Sequence, residues 1–462
     1  MWPEHDQRRD ESAVRTVTRR RFLRALALAS GGLVGGALLA ACQQAPAATP
    51  AGKTAASGPP PAAPTAAPTA AAPAAAKPTE AAPAAKVAPA SIKVGAVVPV
   101  TGRYAAGGEQ IKNGYELAFE DLNKDGGVML RDLGRKVPLE LKLLDDESDP
   151  TKTVQRLETL TAQDQVVAYL GGFGSDLHAA AAAIGDKNKT PYLGVAFALY
   201  QVHQRGLKYL FSPFPKSPDL TKSTIDMMDS VSPKPTRVAL FIEKTDWGAE
   251  MRELWKKEAS ARGYEIVADE EYAPGAKDFA SSILKAKSGN ADALLALPNP
   301  PDGLAIAKQL KELDFSPKFL YFVRAADSLA WGQNLGKDGD YFLLAPGWSP
   351  DLKFPGVEQL KQRHQEKYNK PAEATTGAAY ATVQVLGNAL ERTGTVDRDG
   401  LRDALAATDM MTVMGSVKFN PDGSGQVTTI ANQWQDGKQV LVWPKDQAAA
   451  PLAYPAKPWN ER

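Results

Sequence analysis

Short apolar runs and longer amphipathic stretches alternate along most of the chain. Residues 92–99 form an apolar run rich in Ile and Val, which favours a β-strand. A glycine-containing loop at 101–108 follows, and the next stretch repeats its apolar residues every three or four positions, which predicts a helix. The apolar face of that helix consists of Ile111, Tyr115, Ala118, Phe119 and Leu122. Asp125-Gly126-Gly127 is typical of a helix end.

The alternation continues in two blocks, which are separated by a proline-containing break at 213–218 and one further helix. The predicted strands are 138–145, 166–171, 191–196, 236–242, 264–268, 292–297 and 318–323. The predicted helices are 151–163, 176–188, 248–262, 278–288 and 302–313. Strands separated by helices of ~10–15 residues indicate βαβ units and parallel sheets with helices on both faces. The sequence therefore predicts an α/β fold with two similar lobes that divide near residue 216.

The C-terminal part of the chain is mainly helical. Helical periodicity is found near 354–369, 376–393 and 399–407. These helices cannot form a third sheet by themselves, so we expect them to pack on one of the two lobes. The run 427–443 predicts a β-hairpin that turns at Gln435-Asp436-Gly437-Lys438. We expect residues 444–462 to form a C-terminal tail.

The N-terminal residues have the order of features found in an export signal. The run Thr18-Arg19-Arg20-Arg21-Phe22-Leu23 resembles a twin-arginine signal, with Arg19 and Arg20 as the arginine pair. The apolar run 25–41 is short for a membrane-spanning helix of ~20 residues and suits a signal peptide. It ends in Leu39-Ala40-Ala41-Cys42, which resembles a lipobox. We expect residues 1–41 to be a signal peptide and Cys42 to be lipidated; the alternative is an incidental cysteine in a signal-anchor helix.

The segment after Cys42 consists almost entirely of Ala, Pro and Thr up to about residue 90. Frequent proline blocks helix and sheet and favours extended chain. The segment also has too little large apolar surface to build a core. We interpret residues 42–90 as a disordered tether between a lipid anchor and the folded body.

The composition argues against several classes of function. A formal net charge of +1 provides no basic field for binding nucleic acid. The single cysteine allows no intramolecular disulfide or cysteine metal cluster, and the four histidines lack zinc-site spacing. There is no G-x-S-x-G, P-loop or H-E-x-x-H motif, and the run 172–177 lacks the third glycine of a dinucleotide-binding loop. We predict no enzyme activity, no cofactor and no metal, and we interpret Asp145-Asp146-Glu147 as a solvated loop at a strand end.

Several segments of the body stand in a characteristic order and spacing. They are Val94-Gly95-Ala96-Val97-Val98-Pro99-Val100-Thr101-Gly102, Asn113-Gly114-Tyr115-Glu116-Leu117-Ala118, Asp145-Asp146-Glu147-Ser148-Asp149-Pro150, Leu170-Gly171-Gly172-Phe173-Gly174-Ser175, Glu243-Lys244-Thr245-Asp246-Trp247-Gly248, Asp278-Phe279 and Tyr380-Ala381. Together they resemble the leucine/isoleucine/valine-binding protein family, type I periplasmic binding proteins of ABC importers. The resemblance implies two Rossmann-like lobes, joined by three crossovers, with a ligand cleft between them. We expect lobe 1 to comprise 91–216 and 346–425, and lobe 2 to comprise 217–345 and 426–443.

The resemblance also implies where a ligand is held, at the carboxyl ends of strands that face the cleft, as is general for open α/β sheets. In the amino-acid binders of the family, a serine at the position of Ser175 and backbone groups at Ala196 hold the α-carboxylate. Ser175 directly precedes a predicted helix, whose N–H groups and dipole favour an anion. Its alternative role is an ordinary helix cap, and both roles are compatible. Tyr104, in the loop before the first helix, is a further candidate ligand contact.

Other positions of the implied site differ from the family. The hydroxyl expected near Ala198 and the aromatic ring expected near Asn299 are absent, and Trp247 replaces a tyrosine. The acidic partner for an ammonium group is not found where the resemblance places it, at about Val323 or Arg324. We therefore expect a small carboxylate or amide-like ligand with an apolar or aromatic body, rather than a free α-amino acid.

In that interpretation Arg324 faces the cleft and pairs with the ligand carboxylate, while Trp247 and Phe173 form apolar walls. The alternative is that Arg324 is a solvated charge at a strand end. The register near 320–327 decides between them, because a shift of one residue changes which side chain faces the cleft. Asp327 is close by in the sequence.

Together these features predict an extracytoplasmic solute-binding lipoprotein on the outer face of the cytoplasmic membrane. Such a protein captures a small molecule, which we expect to be an amino-acid-like, carboxylate or amide compound, and delivers it to the permease subunits of an ABC importer. The alternatives are a ligand-sensing receptor of the same fold and a lipid-anchored hydrolase. The sequence shows no DNA-binding helix pair and no second transmembrane segment, which favours the capture protein.

Overall fold

The computed structural model describes residues 90–462. The predicted signal peptide, Cys42 and residues 43–89 of the predicted tether lie outside the described residues. The strands are β1 (Ile92–Val98), β2 (Val128–Leu130), β3 (Arg135–Val137), β4 (Leu139–Asp145), β5 (Tyr169–Leu170), β6 (Tyr192–Leu193), β7 (Leu210–Phe211), β8 (Arg237–Glu243), β9 (Glu265–Tyr272), β10 (Ala293–Ala296), β11 (Phe319–Phe322), β12 (Phe342–Leu344), β13 (Asp409–Thr412), β14 (Gly415–Phe419), β15 (Gly425–Gln426), β16 (Ala431–Gln435) and β17 (Lys438–Trp443). The α-helices are α1 (Ala105–Asn123), α2 (Pro150–Thr159), α3 (Ser175–Lys187), α4 (Ser217–Asp229), α5 (Asp246–Ala261), α6 (Ala280–Ser288), α7 (Pro300–Glu312), α8 (Ala330–Leu335), α9 (Val357–Tyr368), α10 (Thr376–Thr393) and α11 (Arg398–Ala406).

Five parallel strands form the first sheet, in the order β4-β1-β5-β6-β7. β1 pairs with β4 along its whole length, from Ile92 opposite Leu139 to Val98 opposite Asp145. Six of the seven residues of β1 are buried, as expected for a strand inside a parallel sheet that is covered on both faces. The strand order brings the carboxyl ends of β1, β5 and β6 side by side.

Seven strands form the second sheet, in the order β17-β16-β12-β11-β10-β8-β9. The strands from β8 to β12 are parallel. β16 runs antiparallel to β12 and pairs with β17 in a hairpin. β10 and β11 are buried at every position, so the middle of this sheet is also covered on both faces.

The helices that follow β12 pack on the first sheet. Leu386 of α10 and Leu401 of α11 belong to the same apolar core as Val94 of β1. α10 lies close against α1, where a Cβ atom on Gly114 would approach the carbonyl oxygen of Thr376 to 2.3 Å. We call the first sheet with α1–α3, α9–α11 and β13–β15 the first lobe, and the second sheet with α4–α8 the second lobe.

The chain passes between the two lobes three times. It leaves the first lobe between β7 and α4, returns between β12 and α9, and leaves again between β15 and β16. Two lobes that are joined only by short connecting segments can move as bodies about those segments. The carboxyl ends of the parallel strands of both sheets lie at the junction between the lobes.

The strand–helix order predicted from the sequence is found, with differences at several strand ends. The runs 166–171 and 191–196 each contribute only two paired residues, because the chain turns into glycine-containing loops directly after β5 and β6. β7 lies just before the predicted break, where no strand was expected. The predicted hairpin across 435–438 is confirmed. The β2–β3 hairpin and the sheet formed by β13, β14 and β15 were not predicted.

The C-terminal residues after β17 lie along the second lobe. The Ala456 N–H donates to the Lys318 carbonyl oxygen at 2.9 Å, and the Trp459 indole N–H donates to the Phe315 carbonyl oxygen at 2.9 Å. Trp459 is buried in the apolar core that includes β10 and β11. The segment 444–462 is therefore packed as a strap across this lobe. Within residues 90–462, no helix has the length and apolarity needed to cross a membrane.

Candidate functional site

A cavity lies where the loops after the parallel strands of the two lobes meet. It is lined by Phe173, Ser175, Ala196, Ala198, Phe214, Leu220, Trp247, Val323, Arg324, Asp327, Ala345, Pro346 and Thr375. Most of these side chains are apolar, and only a few polar groups converge on the space. Open α/β sheets bind small molecules at this end of their strands, in mainly apolar cavities with a few fixed polar groups.

The cavity is small in the arrangement of the lobes that the structure describes. Its volume is about 30 Å³, on a scale where one water molecule requires ~10–15 Å³. A second chamber of about 230 Å³ adjoins it; we call the first space the inner cavity and the second the outer chamber. The outer chamber is lined by Tyr104, Ser175, Asp176, Ala179, Leu199, Thr245, Asp246, Trp247 and Arg324. The two chambers share Ser175, Trp247 and Arg324. A molecule larger than a few waters can enter the inner cavity only if the lobes or these shared side chains move.

Ser175 forms a polar corner of the inner cavity. It is the first residue of α3, and the helix cap is Gly174 rather than Ser175. The Ser175 hydroxyl oxygen instead accepts from the N–H groups of Ala198 at 3.3 Å and Leu199 at 3.4 Å. The alternative of an ordinary helix cap is therefore wrong, because this hydroxyl faces the loop after β6. The positive end of α3 and the Ser175 hydroxyl lie together at the cavity wall.

The loop after β6 is held in an unusual conformation. Ala196 has a φ of 48°, in the left-handed region that residues other than glycine rarely adopt. Its carbonyl oxygen accepts from the Gly174 N–H at 3.3 Å, which ties the loop to the start of α3. Strained backbone of this kind persists where the surrounding structure fixes it and is common at functional sites.

Polar side chains follow three neighbouring strands of the second sheet, at the point where each strand ends. Glu243 ends β8, Asn299 follows β10 and Arg324 follows β11. The Arg324 guanidinium forms an ion pair with the Glu243 carboxylate and donates to the Pro298 carbonyl oxygen at 3.2 Å. Asn299 donates to the other Glu243 oxygen at 2.9 Å. Glu243 is thus the shared acceptor of this row.

Arg324 is buried, with 6% of its surface exposed, so the alternative of a solvated strand-end charge is wrong. Its guanidinium carbon lies 5.3 Å from the ring centre of Tyr104 and 4.9 Å from that of Trp247. Burial disfavours its charge, but the Tyr104 hydroxyl and the Glu243 carboxylate outweigh burial and raise the pKa of Arg324. The Trp247 indole N–H is fixed by donation to the Ser217 hydroxyl at 3.1 Å. Arg324 therefore lies between two rings, one from each lobe, with its charge already paired.

Asp327 is an acidic group on the wall of the inner cavity. It is 3% exposed, and its Oδ1 atom accepts no hydrogen bond within the described part of the chain. Burial raises the pKa of Asp327 to about 6, against the opposing effect of the nearby Arg324. The resemblance places an acidic residue near 323 or 324, and neither position is acidic. A carboxyl group is nevertheless present, a few residues further along the chain.

The acidic run after β4 is not simply a solvated loop. Asp145 accepts from the N–H of Val100 at 3.1 Å, and Asp146 is buried and accepts from the Thr153 hydroxyl at 3.1 Å. Burial raises the pKa of Asp146 to about 6. The Asp145 carboxylate holds the loop between β1 and α1, and the Asp146 carboxylate bonds to the start of α2, which corrects the interpretation made from the sequence. Residues 90–462 contain no group of three or more acidic, histidine or cysteine side chains that could hold a metal ion.

The structure brings most of the candidate residues together. Those that line the inner cavity are Phe173, Ser175, Ala196, Ala198, Trp247 and Arg324. Tyr104 lies in the outer chamber. Asn299 lines neither chamber; it is buried behind Glu243, where it caps α7 by accepting from the Asp302 N–H at 3.1 Å.

Sequence reasoning missed several residues of the cavity. Phe214, Leu220, Ala345, Pro346 and Thr375 were not candidates. Thr375 comes from the loop before α10, and no local pattern indicates that this loop reaches the cavity. Glu243 could have been found, because it and Arg324 end parallel strands of one sheet and therefore lie at the same edge.

Comparisons with known proteins agree with this architecture. A family model described as periplasmic binding protein matches residues 91–439. The Leu/Ile/Val-binding protein homolog 8 of Brucella abortus is 26% identical over 386 residues, which cover 79% of this chain and 93% of that protein. The Leu/Ile/Val-binding protein homolog 7 of Brucella abortus is 26% identical over 394 residues, which cover 80% of this chain and 96% of that protein.

Solved structures with the same fold include binding proteins with different ligands. A leucine binding protein from Thermotoga maritima has a TM-score of 0.69 at 21% identity and covers 76% of this chain and 97% of its own. A branched-chain amino acid transporter substrate binding protein from Streptococcus pneumoniae, in complex with isoleucine, has a TM-score of 0.68 at 22% identity and covers 77% and 100%. A solute binding protein from R. palustris, in complex with benzoate, has a TM-score of 0.67 at 20% identity and covers 76% and 95%. The predicted α/β fold of two Rossmann-like lobes is confirmed.

Proposed function

Because the chain belongs to the periplasmic binding protein family, we propose that it is the ligand-capturing subunit of an ATP-driven importer. It binds one small molecule between its lobes and presents it to the permease subunits, without chemical turnover. The observation that carries this proposal is the cavity between the lobes, which has apolar walls and a few polar groups. Proteins with the same fold include a leucine binding protein and binding proteins in complex with isoleucine or with benzoate.

The bound molecule is a small carboxylate or amide-like compound with an apolar body. Ser175 and the start of α3 support an anion-binding corner, and Phe173, Trp247 and Leu220 support an apolar enclosure. The free oxygen of Asp327 supports a hydrogen-bond donor on the ligand, such as an amine or amide. The sequence-based argument against amino acids relied on a missing carboxyl group, and Asp327 removes that reason. Amino-acid-like ligands are therefore included in the proposal.

A thermal-shift screen tests this ligand class. The probes are L-leucine, L-isoleucine, benzoate and 4-methyl-2-oxopentanoate, the deaminated analogue of leucine. A ligand at 100 times its dissociation constant should stabilise the protein by ~2.7 kcal/mol. Asp327→Asn should weaken amine-bearing probes more than deaminated ones, whereas Asp246→Asn, in the outer chamber, should not discriminate. Equal weakening of both classes by Asp327→Asn would contradict the assigned role, and chemically altered probe recovered after binding would contradict capture without turnover.

Binding and release occur by hinge motion of two lobes. We assign 91–216 with 346–425 to one moving body and 217–345 with 426–443 to the other. The small inner cavity supports this motion, since a ligand cannot enter it without a rearrangement. X-ray scattering with a confirmed ligand should show a smaller radius of gyration than without it. An unchanged radius would argue against closure.

The protein is exported by the Arg19-Arg20 signal and anchored to the outer face of the cytoplasmic membrane through Cys42. The motivation is the order of basic residues, apolar run, small residues and cysteine in the sequence. Two or more acyl chains give stable anchoring, at ~0.8 kcal/mol per buried methylene. Cys42→Ala should move the protein from the membrane fraction to the soluble fraction. Equal membrane retention of both forms, without acylation of either, would show that the anchor is not the cysteine.

A further inference from the structure

We infer that Glu250 and Glu373 are latches that stabilise contact between the two lobes without touching the ligand. Each glutamate belongs to one lobe and accepts hydrogen bonds from backbone N–H groups of the other. Their effect on affinity rests on the proposed function, because it requires a ligand that binds between the lobes. Their effect on the arrangement of the lobes does not require a ligand.

Glu250 lies on α5 of the second lobe and is buried. Its two carboxylate oxygens accept from the N–H groups of Tyr200 and Gln201, each at 2.8 Å. These two residues begin a short 3-10 turn of the first lobe, between β6 and β7. Hydrogen bonds to an ionised acceptor are stronger than neutral ones. When the lobes separate, both N–H groups and the carboxylate must be satisfied by water instead.

Glu373 makes the reciprocal contact from the first lobe. Its Oε2 atom accepts from the N–H of Leu329, in the loop between β11 and α8 of the second lobe, at 2.8 Å. Lys370, from the same lobe as Glu373, donates to the other oxygen at 3.2 Å and fixes the carboxylate. Gln110 of α1 adds a weaker contact to the Asp327 carbonyl oxygen at 3.3 Å. Two separate places on the two lobes therefore carry the same device.

Neither glutamate lines the inner cavity or the outer chamber. A latch that acts only in the arrangement with the lobes in contact changes the fraction of molecules in that arrangement. The apparent dissociation constant of every ligand is then divided by that same fraction. Loss of a latch should weaken all ligands by a common factor and leave their order unchanged. A residue that touches the ligand would instead change the order.

The test measures the distance between the lobes in the full-length chain. Cys42→Ser removes the single cysteine, and spin labels are attached at Gln155→Cys on α2 and Ser281→Cys on α6, which are both exposed. Distance distributions are recorded by pulsed electron resonance for the parent, Glu250→Gln and Glu250→Ala. Glu253→Gln, an exposed glutamate on the same helix, is the matched control. Each protein is measured alone and with L-leucine, L-isoleucine or benzoate.

Without a probe, we expect the parent and the Glu253→Gln control to populate both a short and a long distance, and both Glu250 variants to populate the short one less. A bound probe should increase the fraction at the short distance. For any probe that binds, the dissociation constant should rise on the order of 10-fold in the Glu250 variants, with the same factor for each probe. Unchanged distributions in the Glu250 variants would overturn the latch, as would a parent that shows only the long distance. If the dissociation constant rose by a different factor for each probe, Glu250 would instead act directly on the ligand.

The same experiment separates failure of the latch from failure of the proposed function. If no probe binds to the parent or changes its distance distribution, the ligand proposal fails. A shift to longer distance in the Glu250 variants would still establish the latch in that case. If probes bind and close the parent, but the Glu250 variants close equally, the function stands and the latch is refuted.

Discussion

Replacing Asp327 with asparagine should change how the stability of the ligand-free protein depends on pH. The side chain is 3% exposed, and its Oδ1 atom has no hydrogen-bond partner in the described residues. Burial raises the pKa of Asp327 from 3.8 to about 6 in the folded protein. Ionisation of this carboxyl group therefore opposes folding at neutral pH, and an asparagine cannot ionise.

The direction and the size of this pH effect on stability follow from proton linkage. As the pH rises from about 4, the unfolded chain releases the Asp327 proton while the folded protein retains it, so stability falls until the pH passes about 6. A pKa difference of about two units corresponds to about 3 kcal/mol. The stability of Asp327→Asn relative to the parent should therefore increase by about 3 kcal/mol between pH ~3 and pH ~7.

Urea denaturation of both proteins at several pH values, without ligand, measures this difference directly. About 2 kcal/mol of the change should develop between pH ~4.5 and pH ~7. Asp125→Asn, which alters an exposed carboxylate after α1, controls for the change in net charge. A difference between Asp327→Asn and the parent that is independent of pH would refute the reasoning, and a difference that decreases with rising pH would reverse it.

Three further substitutions test the fold around the site. Glu243→Gln should destabilise the protein by about 3–5 kcal/mol in urea denaturation, because it leaves the buried Arg324 guanidinium without its anion; a loss below about 1 kcal/mol would show that the pair is dispensable. Trp459→Ala should lower the free energy of unfolding by about 3 kcal/mol, since it empties part of the core of the second lobe. An unchanged free energy of unfolding would mean that the C-terminal strap is not part of that core. Gly114→Ala should lower the free energy of unfolding by more than about 2 kcal/mol, because its Cβ atom would lie 2.3 Å from the Thr376 carbonyl oxygen. An unchanged urea midpoint would show that α1 and α10 can separate without loss of stability.

The sequence predicted the architecture well where local pattern and tertiary structure agree. β1, β8, β10 and β11 are apolar runs, and each forms a parallel strand that is buried at all or nearly all positions. β4 also pairs in parallel, but it is the edge strand of the first sheet and only its first residue is buried. β5 and β6 are shorter than their apolar runs, because hydrogen-bond pairing stops where the chain must turn toward the other lobe. β13–β15 were missed since short antiparallel strands at the surface lack a long apolar run. Local pattern sets the kind of element, and the paired length depends on neighbours distant in sequence.

The candidate site was predicted less completely than the fold. Ser175 and Trp247 follow directly from strand ends and helix starts, which are visible in the sequence. Thr375 reaches the cavity only because α10 packs on α1, and that packing has no local signature. Asp327 is close to the expected position in the sequence, but its place on the cavity wall depends on the course of the loop after β11. The residues that converge through tertiary packing are therefore those that the sequence left unassigned.

The burial of Arg324 changes the expected chemistry of the cavity. An arginine that left Glu243 to pair with a ligand carboxylate would leave a buried glutamate without its cation, at a cost of several kcal/mol. The interaction with the ligand carboxylate would first have to offset that loss of free energy before it contributed to affinity. Arg324 is better suited to orienting Tyr104 and Trp247, which contact it from the two lobes. The proposed function therefore assigns anion recognition to Ser175 and the start of α3, and it assigns discrimination between amines and deaminated acids to the unpaired oxygen of Asp327.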